Sequence, residues 1–329
     1  MNVKQDALAG IKVLDFSWVA AGPVTTTQMA DYGATVVHVE SSTRPDTLRT
    51  SVPYKDGKPG INRSGYFAFF NPNKYSLALN FKHPKALETA KRLVKWADVI
   101  IENFTPMTID RMGLGYEELS KEKPGLIMIS LGMQGRTGPH SGHLGLGPLL
   151  AGLCGVVHLT GYPDRGPVQA GAFSDWITPD IAMATVLAAL LYRDKTGKGQ
   201  YFDLSQFEST LASLAPLCLD YFANGREGER LGNCSPGAAP HGCYACQGED
   251  RWCTISVLND ADWATFSKAI GNPGWTQRPE FATAVGRKQN EAELDRLVET
   301  WTRKHTPEEV MTILQTALVA AGGVETSDD

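Results

Sequence analysis

The sequence predicts an α/β fold: a mostly parallel sheet with helices on both faces, followed by a smaller α+β domain. Three observations lead there. Short apolar runs of strand length alternate with helical stretches through most of the chain. Residues 181–192 carry no charge and read as a central core helix, apolar all round and too short at that length to cross a bilayer. The 329 residues are 42% hydrophobic and 20% charged, which suits one large or two ordinary domains with a sizeable core.

Residues 11–16 form the first strand, Ala20 to Pro23 open a helix that reaches Tyr32, and residues 35–40 form the second strand. Such a β-α-β unit puts a helix N-terminus where a phosphate or nucleotide is received, a Rossmann-like arrangement. Gly22 stands alone in place of the full glycine fingerprint, so a dinucleotide site has little support, and Glu40 reads as an exposed strand-terminal acid. Residues 41–65 lack any period and read as a long surface loop. Strands at 75–81, 99–101 and 126–131 and an amphipathic helix at 84–96 continue the alternation. Polar residues gather at three strand ends, around Lys82, around Glu102 and Asn103, and over 132–138, on the edge where such sheets bind ligands. Taken singly, Lys82 and Asn103 read equally well as loop residues. His143, in a glycine-rich stretch, is either a turn residue or a catalyst.

Thr178, Pro179 and Asp180 read as the cap, first residue and dipole-facing acid of the central helix. Asp175 lies upstream of that cap, where unpaired N–H groups favour its ionised form. It supports the helix start, or it is a nucleophile or base. Asp180 already answers the dipole, which leaves Asp175 without an obvious structural task. After a basic turn at 196–200 and a strand at 201–204, residues 205–222 read as a second long helix, capped by Ser205 and kinked at Pro216. The domain organisation expected is a large domain over 1–223, a linker over 224–241 and a small domain over 242–329, with helices at 260–270 and 290–305 and a capping box at Thr306.

A net charge of −5 gives no basic footprint, so no nucleic-acid partner is expected. The first residues carry no apolar leader, and neither a membrane nor an exported location is expected; the cytoplasm is the default. Cys243 and Cys246 with His241 invite a zinc reading. There is no second C-x-x-C pair, however, and residues 243–255 read as two short strands about a Gly-Glu-Asp turn, so no metal is expected. Disulfides are not expected in a reducing compartment.

Six segments in order carry a likeness over nearly the whole chain: I-K-V-L-D-F-S-W-V-A-A-G-P from Ile11, Y-F-A-F-F-N-P-N-K-Y-S-L-A-L-N-F-K from Tyr66, A-D-V-I-I-E-N-F from Ala97, I-D-R-M-G-L-G-Y from Ile109, F-S-D-W-I-T-P-D from Phe173 and T-G-K-G-Q from Thr196. The chain resembles the class III CoA-transferases of the CaiB/BaiF or formyl-CoA-transferase type, and S-D-W-I-T-P resembles the subgroup with succinyl-CoA:benzylsuccinate CoA-transferase subunits. The resemblance implies that Asp175 is the nucleophile, that the chemistry passes through an aspartyl mixed anhydride and an aspartyl-CoA thioester, and that coenzyme A is a substrate rather than a tightly bound cofactor. By position it carries CoA binding to Ala20, Ala21, Leu79, Lys82, Asn103, Phe104, Arg111 and Met112. It implies an interlocked dimer, as a homodimer or with a homologous subunit, acting on an acyl-CoA donor and a small carboxylate acceptor.

Three departures stand out. Ala20 replaces a glutamine and Ser41 an arginine of formyl-CoA transferase, with Arg44 available in its stead, and the family's glycine lid corresponds only loosely to residues 235–242. A formyl or oxalyl substrate is thereby disfavoured. Members also continue beyond the point matching Val324, so the segment that returns to the large domain is expected to be missing here. Two other functions remain open on the same fold: an acyl-CoA racemase using His143 and Asp175, although Leu144 stands where racemases have an acid, and a non-catalytic CoA-binding partner subunit.

Overall fold

The computed structural model describes residues 6–329. Two units are distinguished, one made of the chain up to His158 together with Val168–Gly228, the other of Leu159–Pro167 with Glu229–Asp329. In chain order the elements of the first are β1 (Lys12–Asp15), α1 (Ala21–Asp31), β2 (Thr35–Glu40), α2 (Gly65–Phe70), β3 (Tyr75–Ala78), α3 (Ala86–Trp96), β4 (Val99–Glu102), α4 (Thr108–Arg111), α5 (Tyr116–Glu122), β5 (Ile127–Gly132), α6 (Gly147–Leu153), α7 (Val156–Leu159, at its border), α8 (Ser174–Thr196), β6 (Tyr201–Ser205), α9 (Gln206–Ser213) and α10 (Ala215–Asn224). The second contains β7 (His241–Ala245), β8 (Trp252–Ser256), α11 (Asp260–Ala269), α12 (Ala284–Gln289), α13 (Glu291–Thr302), α14 (Pro307–Thr316) and β9 (Ala320–Gly323).

The six strands of the first unit form one parallel sheet in the order β3-β2-β1-β4-β5-β6. Val13 of β1 stands between Val36 of β2 and Val99 of β4. Both faces are covered, which is why these strands are apolar runs rather than alternating ones. Val13, Val36, Val99 and Ile127 pack with Met29 of α1 and with Ala182, Val186 and Leu190 of α8. Leu14, Ile100 and Met128 face the other way, onto Ala90 and Val94 of α3, Ile109 of α4 and Leu119 of α5. The strand order reverses direction between β1 and β4, and the crevice at their carboxyl ends is where an open sheet of this kind takes its ligand.

Four expectations from the sequence are corrected. First, α8 begins at Ser174, so Thr178 is not its cap, and Pro179 lies inside it. A buried stripe of Ser174, Thr178, Ala182, Val186 and Leu190 at helical spacing runs straight through the proline; tertiary packing overrides the local stop signal. Second, α8 is not buried all round: Leu187 and Leu191 are exposed. At 23 residues the helix is also long and apolar enough to pass as a membrane span, by length and composition alone. Third, the second long helix is two, because Pro216 has no N–H to give and the chain restarts at Ala215 with the proline in its first turn. Ser205 does cap the first of them, its hydroxyl accepting from Glu208 N. Fourth, the stretch after β2 is folded down rather than loose. Leu48, Arg49 and Asp46 are buried, and Glu40 is 7% exposed, its carboxylate taking the Arg49 Nε at 2.8 Å and Asp46 N at 3.0 Å.

Beneath the β1–α1 connection lies a buried ionic cluster. Lys74 Nζ donates to Asp15 Oδ2 at 3.3 Å, Pro23 O at 2.8 Å, Asn71 Oδ1 at 3.0 Å and Phe70 O at 3.3 Å. Asp15 Oδ1 accepts from Ser17 N at 2.9 Å, and His38 Nδ1 lies 3.1 Å from Oδ2. Burial by itself would raise the Asp15 carboxyl; Lys74, His38 and the hydrogen bonds hold it well below the usual carboxylate range. One ammonium thus ties the end of β1 to the first turn of α1 and the last turn of α2.

In the second unit, β7, β8 and β9 are antiparallel, and the expected two strands about a Gly-Glu-Asp turn are β7 and β8. Cys253, Ile255, Phe266, Leu294, Val298, Val310 and Leu314 make its core. Thr306 and Glu309 form the expected capping box.

Replacing Lys74 by Met strands the Asp15 carboxylate in the interior, so Lys74→Met is expected to cost about 3–5 kcal/mol in urea unfolding.

Candidate active site

The crevice at the carboxyl ends of β1, β2 and β4 is a cavity of about 690 Å³ within the first unit. Phe16, Trp18 and Val19 after β1, Ser41, Thr43 and Arg44 after β2, Leu79 to Lys82 after β3, and Asn103 to Thr105, Thr108, Arg111 and Met112 after β4 line it. Six residues singled out from the sequence, Leu79, Lys82, Asn103, Phe104, Arg111 and Met112, therefore share one wall. Ala20 and Ala21 do not line it; both are buried at the start of α1, and no side chain caps that helix.

The connection leaving β1 is fixed from several sides. Trp18 N donates to Asn103 Oδ1 at 2.9 Å and Asn103 Nδ2 to Trp18 O at 2.7 Å, so the Asn103 amide is committed to the backbone across the crevice. The Trp18 indole N–H reaches Val39 O at 3.2 Å, and its ring meets Phe104 edge-on at 5.7 Å. Gly22 is required here: a Cβ on it would lie 2.2 Å from Ser17 Cβ. Phe104 N is held by Glu102, whose buried carboxyl is pushed upward by desolvation. Arg111 is turned onto Met107 O and Thr108 Oγ1, and Arg44 lies over the Trp18 ring at 5.7 Å. From the sequence, Trp18 is only part of the first likeness segment, without a role, and Thr43 carries no signal, because both come to the wall through tertiary folding rather than through a local pattern.

Asp175 sits in the first turn of α8 and is half-buried. Its height above the sheet follows from two bonds. Near the other end of α8, Arg193 pairs at 3.0 Å with Asp98, which directly precedes β4 and also receives Lys12 N at the start of β1. That end of α8 is at the amino edge of the sheet. From Arg193 back to Asp175 the helix covers about 27 Å, whereas β4 covers about 13 Å, so Asp175 is carried past the carboxyl edge. Gln28 Nε2 donates to Asp180 Oδ1 at 2.9 Å and sets α8 level with α1, one helix width of about 8–10 Å away.

The expected stabilisation of its ionised form by unpaired N–H groups is not found, and with α8 starting at Ser174 it is Asp175 rather than Asp180 that stands in the first turn: among the described residues no hydrogen bond or ion pair reaches the Asp175 carboxylate, and burial alone pushes its carboxyl up to about 6. Pro179, four residues on, also has no N–H for the Asp175 carbonyl. Gly147 packs directly on the carboxylate: a Cβ there would lie 2.5 Å from Asp175 Oδ2 and 2.9 Å from the Ala172 methyl. Nothing in the sequence around Gly147 signals this approach.

His143 is exposed on a turn, its ring 4.8 Å from that of His140. All six cysteines are free. In the second unit Cys234, Glu291 and Asp295 bring ligand-type atoms within 4.8 Å of one another, a different set from the Cys243, Cys246 and His241 read in the sequence. Asp295 there accepts the Tyr244 hydroxyl and Glu291 the Lys288 ammonium.

The model of CoA-transferase family III matches residues 8–329. The chain belongs to CoA-transferase family III. It is 32% identical over 323 residues to succinyl-CoA–D-citramalate CoA-transferase of Chloroflexus aurantiacus, covering 98% of this chain and 79% of that one. It is 30% identical over 332 residues to succinate–glutarate CoA-transferase of Agrobacterium fabrum, covering 100% and 82%. Among solved structures, a CaiB/BaiF family protein from Brucella suis superposes with a TM-score of 0.87 at 32% identity, covering 99% of this chain and 85% of that one. As a family III CoA-transferase the protein is an enzyme that moves coenzyme A between an acyl thioester and a carboxylate.

The raised Asp175 carboxyl has a thermodynamic consequence. A carboxyl whose folded pKa lies above its unfolded value binds its proton more tightly in the folded state, so stability falls as pH rises from about 4 through 6 and stays lower above. Asp175→Asn removes that penalty. Its unfolding free energy, from urea titrations, is expected to match the wild type near pH 4 and to exceed it at pH 7.5 by on the order of 1 kcal/mol, because the half-exposed group recovers part of its hydration.

Proposed function

We propose that Asp175 is the nucleophile of CoA transfer in this enzyme, and that the crevice between β1 and β4 receives the nucleotide of coenzyme A. What supports this reading is an acid with no partner among the described residues, desolvated, on a helix long enough to carry it past the sheet edge where the cavity opens, although it is not itself among the cavity's lining residues. A structural carboxylate is normally satisfied by hydrogen bonds or a counter-charge, and this one has neither among the described residues. For the nucleotide, Arg44 and Lys82 supply positive charge for phosphate oxygens, and the Trp18 and Phe104 rings supply flat apolar surface.

An Asp175 oxygen adds to the thioester carbonyl, the C–S bond breaks, and a mixed anhydride and CoA thiolate result. The thiolate attacks the aspartyl carbonyl, the anhydride C–O bond breaks, and the first acid departs as its carboxylate, leaving an aspartyl-CoA thioester. The acceptor carboxylate attacks that thioester and expels the thiolate again. Attack of the thiolate on the acyl carbon of this second anhydride forms the new acyl-CoA and frees Asp175. No water enters and no net proton is consumed, so each intermediate must be kept dry. The exposed apolar faces of α8 and α10, with Leu187, Leu191, Leu219 and Phe222, support association with a second copy or a homologous subunit.

Incubation with an acyl-CoA followed by intact-protein mass spectrometry is expected to show a covalent adduct that Asp175→Asn lacks; a fully active Asp175→Asn enzyme sinks the proposal. Because the nucleophile is the ionised form, kcat/KM is expected to fall as pH drops through about 6, well above the range of an exposed aspartate. Gly147→Ala is expected to slow adduct formation at least about tenfold by displacing the carboxylate, since catalytic geometry tolerates little misplacement.

A further inference from the structure

Between the end of β1 and the start of α1 the chain belongs to no regular element, and its backbone is held there by side chains. Three consecutive N–H groups are taken by three different residues: Ser17 N by Asp15 Oδ1 at 2.9 Å, Trp18 N by Asn103 Oδ1 at 2.9 Å, and Val19 N by both oxygens of Asp46, at 3.2 and 3.3 Å. Asp15 belongs to the Lys74 cluster and Asn103 to the crevice wall. Asp46 belongs to neither. It stands at the head of a 3-10 turn, Thr47–Thr50, in the stretch that folds down after β2.

Of the three held residues, Val19 has the costly conformation. Its φ is 69°, in the left-handed region, where a β-branched residue is an outlier and glycine the ordinary occupant. Strain of this kind persists only where the surroundings over-determine it, and it gathers at ligand-binding sites. Val19 meets both conditions: it is held by Asp46 and it lines the cavity, with α1 beginning two residues later at Ala21. A Val19 that relaxed would turn the peptide joining it to Trp18, and the two wall residues would move with the start of α1.

Capping the 3-10 turn does not account for Asp46. Leu48 N is met by Oδ1 alone at 2.9 Å, which an asparagine would supply equally well. Yet the residue is an acid and fully buried, and desolvation raises its carboxyl above the ordinary value. Among the described residues its oxygens take only the Val19 and Leu48 N–H groups. A charged acceptor holds a backbone N–H more firmly than a neutral one. Its own place is set from behind: Asp46 N donates to Glu40 Oε2 at 3.0 Å, Arg49 clamps Glu40, and Arg49 reaches Asn62 Oδ1 at 2.7 Å and lies over the Phe67 ring at 3.6 Å. A chain of fixed groups thus runs from α2 through Arg49, Glu40 and Asp46 to Val19.

We propose that Asp46 is a positioning residue for coenzyme A binding: by fixing Val19 in the left-handed conformation it sets the crevice wall before the nucleotide arrives. This rests on the crevice reading above and is independent of the nucleophile. Preorganising the wall lowers the cost of binding, so the effect falls on affinity rather than on the chemical step.

The test measures the Kd of coenzyme A by titration calorimetry on the full chain, together with thiolate release from succinyl-CoA in a single turnover. Asp46→Ala is expected to weaken coenzyme A about twentyfold while release at saturating thioester stays within about twofold. Asp46→Asn keeps an oxygen for Leu48 N but turns an NH2 group toward Val19 N, and is expected to weaken binding about tenfold. Val19→Gly costs about threefold through lost wall surface, and adding Asp46→Ala to it is expected to cost no more than about threefold further, because glycine takes the left-handed conformation unaided. Should Asp46→Ala fail to fold, the same cycle is read with Asp46→Asn. Equal losses with valine and with glycine at position 19 would make Asp46 a general support of the fold and overturn the proposal. Affinity within about twofold of the wild type in both Asp46 variants, or a loss confined to the saturating rate, overturns it as well. If Arg44→Ala with Lys82→Ala leaves coenzyme A affinity unchanged, the crevice reading itself falls and takes this inference with it.

Discussion

One buried ammonium organises the end of the first unit where β1 leads into α1 and α2 packs beside it. The Lys74 side chain is 2% exposed and joins three chain segments through Asp15, Pro23 O and Phe70 O. Each is needed for a different reason: Asp15 fixes the backbone of Ser17, Pro23 lies in the first turn of α1, and α2 brings Phe69 and Phe70 toward α8. A buried ion pair of this kind gives little net stability over an apolar alternative. What it supplies is geometry, since the ammonium finds all four acceptors only when the three segments are in one arrangement.

Asp15 and Asp175 show how one residue type is driven to opposite ionisation behaviour by its surroundings. Both lose water. Asp15 is compensated by a lysine, a histidine and hydrogen bonds and stays ionised, whereas Asp175 is compensated by nothing among the described residues and is raised to about 6. An unpaired carboxylate is the more basic and more nucleophilic of the two, and the fold bears its desolvation cost. Glycine at position 147 and proline at position 179 strip the surroundings of Asp175 of a side chain and of an N–H, respectively.

Much of the sheet was legible in the sequence because parallel strands covered on both faces must be apolar runs, and 35–40 is one to the residue. Boundaries failed where packing outweighed local signals. Pro179 reads as a helix start and Pro216 as a kink, yet the first sits inside α8, whose buried stripe continues through it, and the second splits a helix. Glu40 could not be read correctly, since its partner Arg49 comes from a stretch with no period that folds back over the strand end.

For the site, the sequence alone determined which residues carry the family likeness, Asp175 at their head, because motif order is a property of the chain. It also determined that carboxyl strand ends would gather polar groups, because alternating strands and helices leave no other arrangement. Only the tertiary structure decided that Asn103 is committed to the Trp18 backbone, that Ala20 and Ala21 stand behind the cavity wall rather than in it, and that Gly147 presses on the carboxylate. The physical reason is range: propensity and spacing act over a few residues, whereas desolvation and close contact depend on segments far apart in the chain that meet only once the sheet has formed.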